Sequence, residues 1–82
     1  MDNKSIAIFV NELLKISRNV QINKPKQKID VWLSPDELSL FKKKYLGTLR
    51  YNTKIGKGIY IIEIKFSDVP KAGFLKRLRF LL

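Results

Sequence analysis

Cysteine and histidine are both absent from this 82-residue chain. Without cysteine there is neither a disulfide framework nor a thiolate metal site. Without histidine, the commonest general base at neutral pH and the commonest neutral metal ligand are both missing. Acids are scarce as well, with seven Asp and Glu against 17 Lys and Arg. No apolar run approaches the length of a membrane-spanning helix. The opening stretch "MDNKSIAIFVNELLKISRN" does not read as a secretory signal: Asp2 precedes its only early lysine, and Asn11 and Glu12 interrupt its apolar run. These absences lead us to expect one small basic domain over residues 1–82, cytoplasmic, with no cofactor and no metal.

The formal net charge is +10. Such an excess repels itself in the compact state unless an anionic partner relieves it. Composition bias toward Lys and Ile usually raises Glu along with Lys, yet glutamate occurs only at 12, 37 and 63. The imbalance therefore favours an anionic partner. Nucleic acid is the first candidate, DNA ahead of RNA, with an acidic protein or an anionic lipid surface behind it.

Helical spacing of Ile6, Phe9, Val10, Leu13, Leu14 and Ile16 predicts an amphipathic helix over 4–18. Ser5 is its candidate cap, and Asn11, Glu12, Lys15 and Arg18 its polar side. The stretch 19–28, "NVQINKPKQK", reads as a basic polar linker interrupted by Pro25. "KIDVWL" alternates, with Ile29, Val31 and Leu33 on one face and Asp30 and Trp32 on the other, as a short strand does. "SPDE" then announces a helix. Ser34 suits the N-cap, Pro35 the first helical position, and Glu37 completes a capping box. That helix runs through Leu38, Leu40, Phe41 and Tyr45 to a stop at Gly47. Lys42, Lys43 and Lys44 fall at its C-terminal end, where the helix dipole favours cations.

The stretch "YNTKIGKGIYIIEIKF" predicts a hairpin with a two-residue loop at Gly56-Lys57. In that register Thr53 opposes Tyr60, Tyr51 opposes Ile62, and Arg50 meets Glu63 across the strands. Residues 71–82 read as a last helix, with Phe74, Leu75, Leu78, Leu81 and Leu82 on one side and Lys76, Arg77 and Arg79 on the other. The expected fold is therefore α+β, in the order α-β-α-β-β-α: a three-stranded, mainly antiparallel sheet with three helices, winged-helix-like or another small two-layer sandwich. The order is similar to that of winged-helix domains, which also end in a basic hairpin. It departs from them in having one helix, not two, between the first strand and the hairpin.

Catalytic patterns are missing. "GKG" has neither the spacing nor the following helix of a phosphate-binding loop, and no Ser-His or Cys-His pair is possible. Asp30, Glu63 and Asp68 are the only carboxylates that a metal-dependent nuclease would draw on, and Asp30 nears Glu63 only if the first strand pairs with the last. We expect no enzyme. The basic residues fall into clusters: Lys24, Lys26 and Lys28; Lys42, Lys43 and Lys44; Arg50, Lys54 and Lys57; and Lys71, Lys76, Arg77 and Arg79. Any one of these is adequately explained as a solvated face. Together they predict contacts to a phosphate backbone, strongest at the hairpin tip flanked by Lys54 and Lys57. Trp32 is the candidate stacking platform; Tyr51 and Tyr60, on the apolar face, are expected to pack in the core.

The expected function is a small nucleic-acid-binding regulator or accessory factor, in character viral, phage or plasmid encoded. An adaptor or inhibitor that binds an acidic protein is the alternative, and membrane-surface attachment through the last helix the third. A homodimer would double the basic footprint.

Overall fold

The computed structural model describes residues 3–45 and 47–71. Its elements are α1 (Asn3–Leu14), β1 (Asn19–Asn23), β2 (Lys28–Leu33), α2 (Pro35–Lys44), β3 (Asn52–Ile55) and β4 (Tyr60–Lys65), followed by a single 3-10 turn, Phe66–Asp68. The four strands form one antiparallel sheet in the order β1-β2-β4-β3. The fold is α+β, but the sheet has four strands, not three, and the described residues hold two α-helices. The order begins α-β-β-α, which also removes the likeness to a winged helix. The last helix expected over 71–82 lies outside the described residues beyond Lys71.

The extra strand comes from the stretch expected to be a linker. Val20 and Ile22 alternate with Asn19, Gln21 and Asn23, so β1 has the period of a strand with minimal apolar content. Pro25 does not interrupt it, because Pro25 sits in the turn that joins β1 to β2. There Asn23 accepts the Lys26 amide on its side-chain oxygen at 3.2 Å, the Gln27 amide donates to the Lys24 carbonyl at 3.1 Å, and Gln27 takes φ +51° to complete the reversal.

β2 and β4 form the middle of the sheet and alternate strictly. Ile29, Val31 and Leu33, with Ile62 and Ile64, are fully buried on one face. α1 delivers Ile6, Phe9 and Leu13 onto this face, and α2 delivers Leu38 and Phe41, with Tyr45 as its C-cap. Phe41 packs edge-on against Tyr51 at 5.1 Å, and Tyr45 meets Phe9 at 5.8 Å and Phe41 at 5.1 Å. Tyr51 and Tyr60 pack half-buried against this core, as their place in the alternation predicts.

α2 starts as its sequence demands. Ser34 Oγ accepts the Glu37 amide at 3.2 Å, and Glu37 Oε1 accepts the Ser34 amide at 2.8 Å. The helix stops at Lys44, and Gly47 follows at φ +70°. α1 differs from its expected form. It ends at Leu14, Ser5 lies buried within it, and Glu12, assigned to the polar side, is buried. Glu12 is 3% exposed and takes the Lys44 ammonium at 3.1 Å and that of Lys15 at 3.6 Å. A lysine of the dipole-favoured run is thus turned inward to neutralise a core acid.

The Tyr45 hydroxyl is buried and has no hydrogen-bond partner among the described residues; burial pushes its ionisation up to about 12. A neutral phenol is what the fold tolerates. Stability should therefore hold below the ordinary tyrosine value of 10 and fall as pH rises from there toward 12, because the unfolded state ionises first. Tyr45→Phe should abolish that alkaline loss and leave neutral-pH stability unchanged or higher, since it removes an unsatisfied hydroxyl. Urea titrations at neutral and alkaline pH check both outcomes. Ser34→Ala should cost about 1 kcal/mol in the same measurement.

Candidate nucleic-acid interface

Directly opposed residues on neighbouring strands share a face, so the register defines the side of the sheet away from α1 and α2. Three rows cross it. One runs Asn23, Lys28, Lys65; the next Gln21, Asp30, Glu63, Asn52; the third Asn19, Trp32, Ile61, Lys54. Among the described residues no helix covers this face. Trp32 and Ile61 sit half-buried side by side in it, with polar and charged side chains around them.

The middle row is a charge network. Lys28 hydrogen-bonds Glu63 and lies 3.3 Å from Asp30, and Lys54 lies 3.1 Å from the other Glu63 oxygen. The hydrogen bond from Lys28, with that from Lys54, holds the Glu63 carboxyl below its usual range; the Glu63 bond in turn holds the Lys28 ammonium above its own. The pairing of the first-expected strand with the last does occur, and it sets Asp30 opposite Glu63. Asp68 lies near Glu63 along a shallow cleft of about 200 Å³ that Arg50 and Lys65 also line. Among the described residues no group of three acids is placed to hold a metal ion.

Four of the seven acids are consumed internally. Glu12 is taken by Lys44 and Lys15, Glu37 by the Ser34 cap and by Arg18 at 3.4 Å, and Asp30 and Glu63 by Lys28 and Lys54. Lys24, Lys26, Lys42, Lys43, Lys57 and Lys65 have no acidic partner among the described residues and, like Arg50, are exposed. Lys24 and Lys26 stand on the β1–β2 turn, beside the Lys28–Lys65 row. Lys57 stands on the β3–β4 turn, at the opposite end of the sheet, because Ile55 pairs with Tyr60 and Leu33 with Tyr60 there.

The candidate residues are thus divided. Lys24, Lys26, Lys28, Trp32, Lys54 and Lys57 lie on the uncovered face or on the two turns that bound it. Lys42 and Lys43 are on the helix layer, and Lys44 points to Glu12. Arg50 precedes β3 in the loop. Lys76, Arg77 and Arg79 lie outside the described residues. Lys65 and Ile61 belong to the face by strict alternation from Glu63, and that alternation was available in the sequence.

The β3–β4 register differs from the expected one. Thr53 opposes Ile62 and Asn52 opposes Glu63, with the Gly56 amide donating to the Ile59 carbonyl at 2.8 Å. The two-residue loop is therefore Lys57-Gly58, and Gly58 takes φ +71°, the backbone that glycine adopts without strain. Each residue of β3 meets a partner two places further along β4 than expected. A shift of two preserves the faces, so the apolar side survives, but Arg50 no longer meets Glu63; Lys28 and Lys54 take that acid instead.

No protein-family model matches the chain, and neither a curated protein nor a solved structure matches it. The described residues contain no helix long and apolar enough to cross a membrane.

Because its partners depress the Glu63 carboxyl, the network's stabilising contribution is present above the ordinary glutamate value of 4.5 and is lost as pH falls through the lower folded value. Glu63→Gln should therefore flatten the acid limb of a stability-against-pH curve while lowering stability at neutral pH. An acid limb identical to that of the unaltered chain would show that Glu63 carries no such contribution.

Proposed function

We propose that this protein binds nucleic acid across the uncovered face of its sheet, with the two basic turns gripping the phosphate backbone at either end. The observation that carries this reading is the disposition of charge. Glu12, Asp30, Glu37 and Glu63 are spent on internal lysines, arginine and the helix cap, while Lys24, Lys26, Lys65 and Lys57 remain exposed at the two ends of a face that carries Trp32 in its row nearest Lys57. Lysines of this kind contribute affinity and register with little base readout. Trp32 adds a flat π-surface on which a base can stack, worth about 1–3 kcal/mol per base.

The test is fluorescence anisotropy of labelled single- and double-stranded DNA and RNA at several salt concentrations. Affinity should fall steeply with salt for unrelated sequences, and removing one lysine that pairs with a phosphate should reduce the logarithmic salt slope by about 0.7–0.9. Lys24→Glu with Lys26→Glu, and separately Lys57→Glu, should weaken binding, whereas Lys42→Glu with Lys43→Glu on the helix layer should weaken it less. Trp32→Ala should weaken single-strand binding with little change in salt slope. Absence of binding at low salt would overturn the reading and leave an acidic protein as the partner of the basic surface.

A further inference from the structure

We propose that β1 is a dimerisation edge, at which two copies of the chain pair antiparallel about a two-fold axis through Gln21. β1 lies at one margin of the sheet. The Phe66 amide donates to the Gln27 carbonyl at 2.9 Å, so residue 27 turns its main-chain groups toward β4. Alternation along β2 then directs residues 28, 30 and 32 toward β1. Their partners Asn23, Gln21 and Asn19 use their main-chain groups on β2. Val20 and Ile22 consequently aim their N–H and C=O groups outward, and no strand among the described residues receives them.

An open edge of this kind is normally guarded by charge, proline or a bulge. β1 has none of these. Asn19–Asn23 carries no charged residue in a chain of net charge +10, contains no proline, and pairs with β2 without interruption. The opposite edge, β3, carries Lys54.

The strand is also complementary to itself. N-V-Q-I-N reads almost alike in both directions about Gln21. Antiparallel pairing on that centre sets Val20 opposite Ile22 of the second copy, Asn19 opposite Asn23, and Gln21 opposite Gln21. The two outward-facing residues of each copy then meet, and every free N–H finds a carbonyl. On the helix-bearing face, the row Ile62–Val31–Val20 continues into the row Ile22–Ile29–Ile64 of the second copy. Ile22, 44% exposed, gains an apolar neighbour. Arg18 and Lys24 bracket the pairing, but Arg18 is held by Glu37 and Lys24 has already left the strand for the turn. The product is an eight-stranded sheet whose two uncovered faces run together. The edge alone supports this pairing, which does not require the nucleic-acid reading.

Sedimentation equilibrium of the full chain, with three variants, tests it. The unaltered chain should show concentration-dependent dimerisation. Gln21→Lys places like charges face to face on the axis and should weaken the dimer about tenfold or more, with unchanged circular dichroism because Gln21 is exposed. Gln21→Cys gives a single thiol per chain at a non-hydrogen-bonded pair, where Cα atoms approach to about 4.5 Å, within disulfide reach. Under mild oxidation it should form a covalent dimer faster than Asn11→Cys, a single thiol at an exposed position on α1. A chain that stays monomeric at every concentration, or Gln21→Cys dimers forming no faster than Asn11→Cys dimers, would overturn the proposal.

Discussion

β2 and β4 are separated in sequence by a helix and another strand, yet their pairing supplies both sides of the molecule. Six consecutive residue pairs, Lys28–Lys65 to Leu33–Tyr60, fix one register. One parity of that register gives Ile29, Val31, Leu33, Ile62 and Ile64, which both helices cover. The other gives Lys28, Asp30, Trp32, Ile61, Glu63 and Lys65. A slip of one residue would exchange these sets and bury charge in place of aliphatic carbon. The core and the candidate interface are thus two consequences of a single constraint.

The network of Lys28, Asp30, Glu63 and Lys54 reinforces that constraint from the solvent side. A slip would also set Asp30 and Glu63 against other partners and leave Lys28 without its acid. Glu12 and Lys44 play the corresponding part between the helices, where a core acid on α1 is met by the last lysine of α2. In a chain with so few acids, each of these pairings removes an acid that would otherwise neutralise the surface lysines. Stability inside and positive potential outside are therefore coupled through the same residues.

Much of this was legible in the sequence. The capping box at Ser34–Glu37 acts through local hydrogen bonds, and the alternation of β2 depends only on burial, so both could be read directly. β1 was not legible, because it carries just Val20 and Ile22 as apolar residues and its stability comes from pairing with β2, a non-local effect. The β3–β4 loop was displaced because "GKG" allows glycine at either central turn position. The turn with Gly58 at positive φ prevails, and Lys28, from a strand that local pairing rules do not see, takes Glu63 in place of Arg50. Glu12 shares a helical stripe with Ser5, Phe9 and Ile16, but its charge marks it as surface; only the approach of Lys44 makes its burial tolerable. For the candidate interface, residue types were legible but their gathering was not. The clusters at 24–28 and 54–57 sit at opposite ends of one face only because β2 pairs with β4.

The most direct test is an NMR titration of the isotopically labelled chain with a short single-stranded oligonucleotide at low salt, following backbone amides and the Trp32 indole. If the uncovered face binds, shifts should concentrate on β2, β4 and the turns at 24–27 and 57–58, including the Trp32 indole, with the exposed side of α2 little changed. Shifts confined to α1 and α2, with a silent Trp32 indole, would contradict binding at that face.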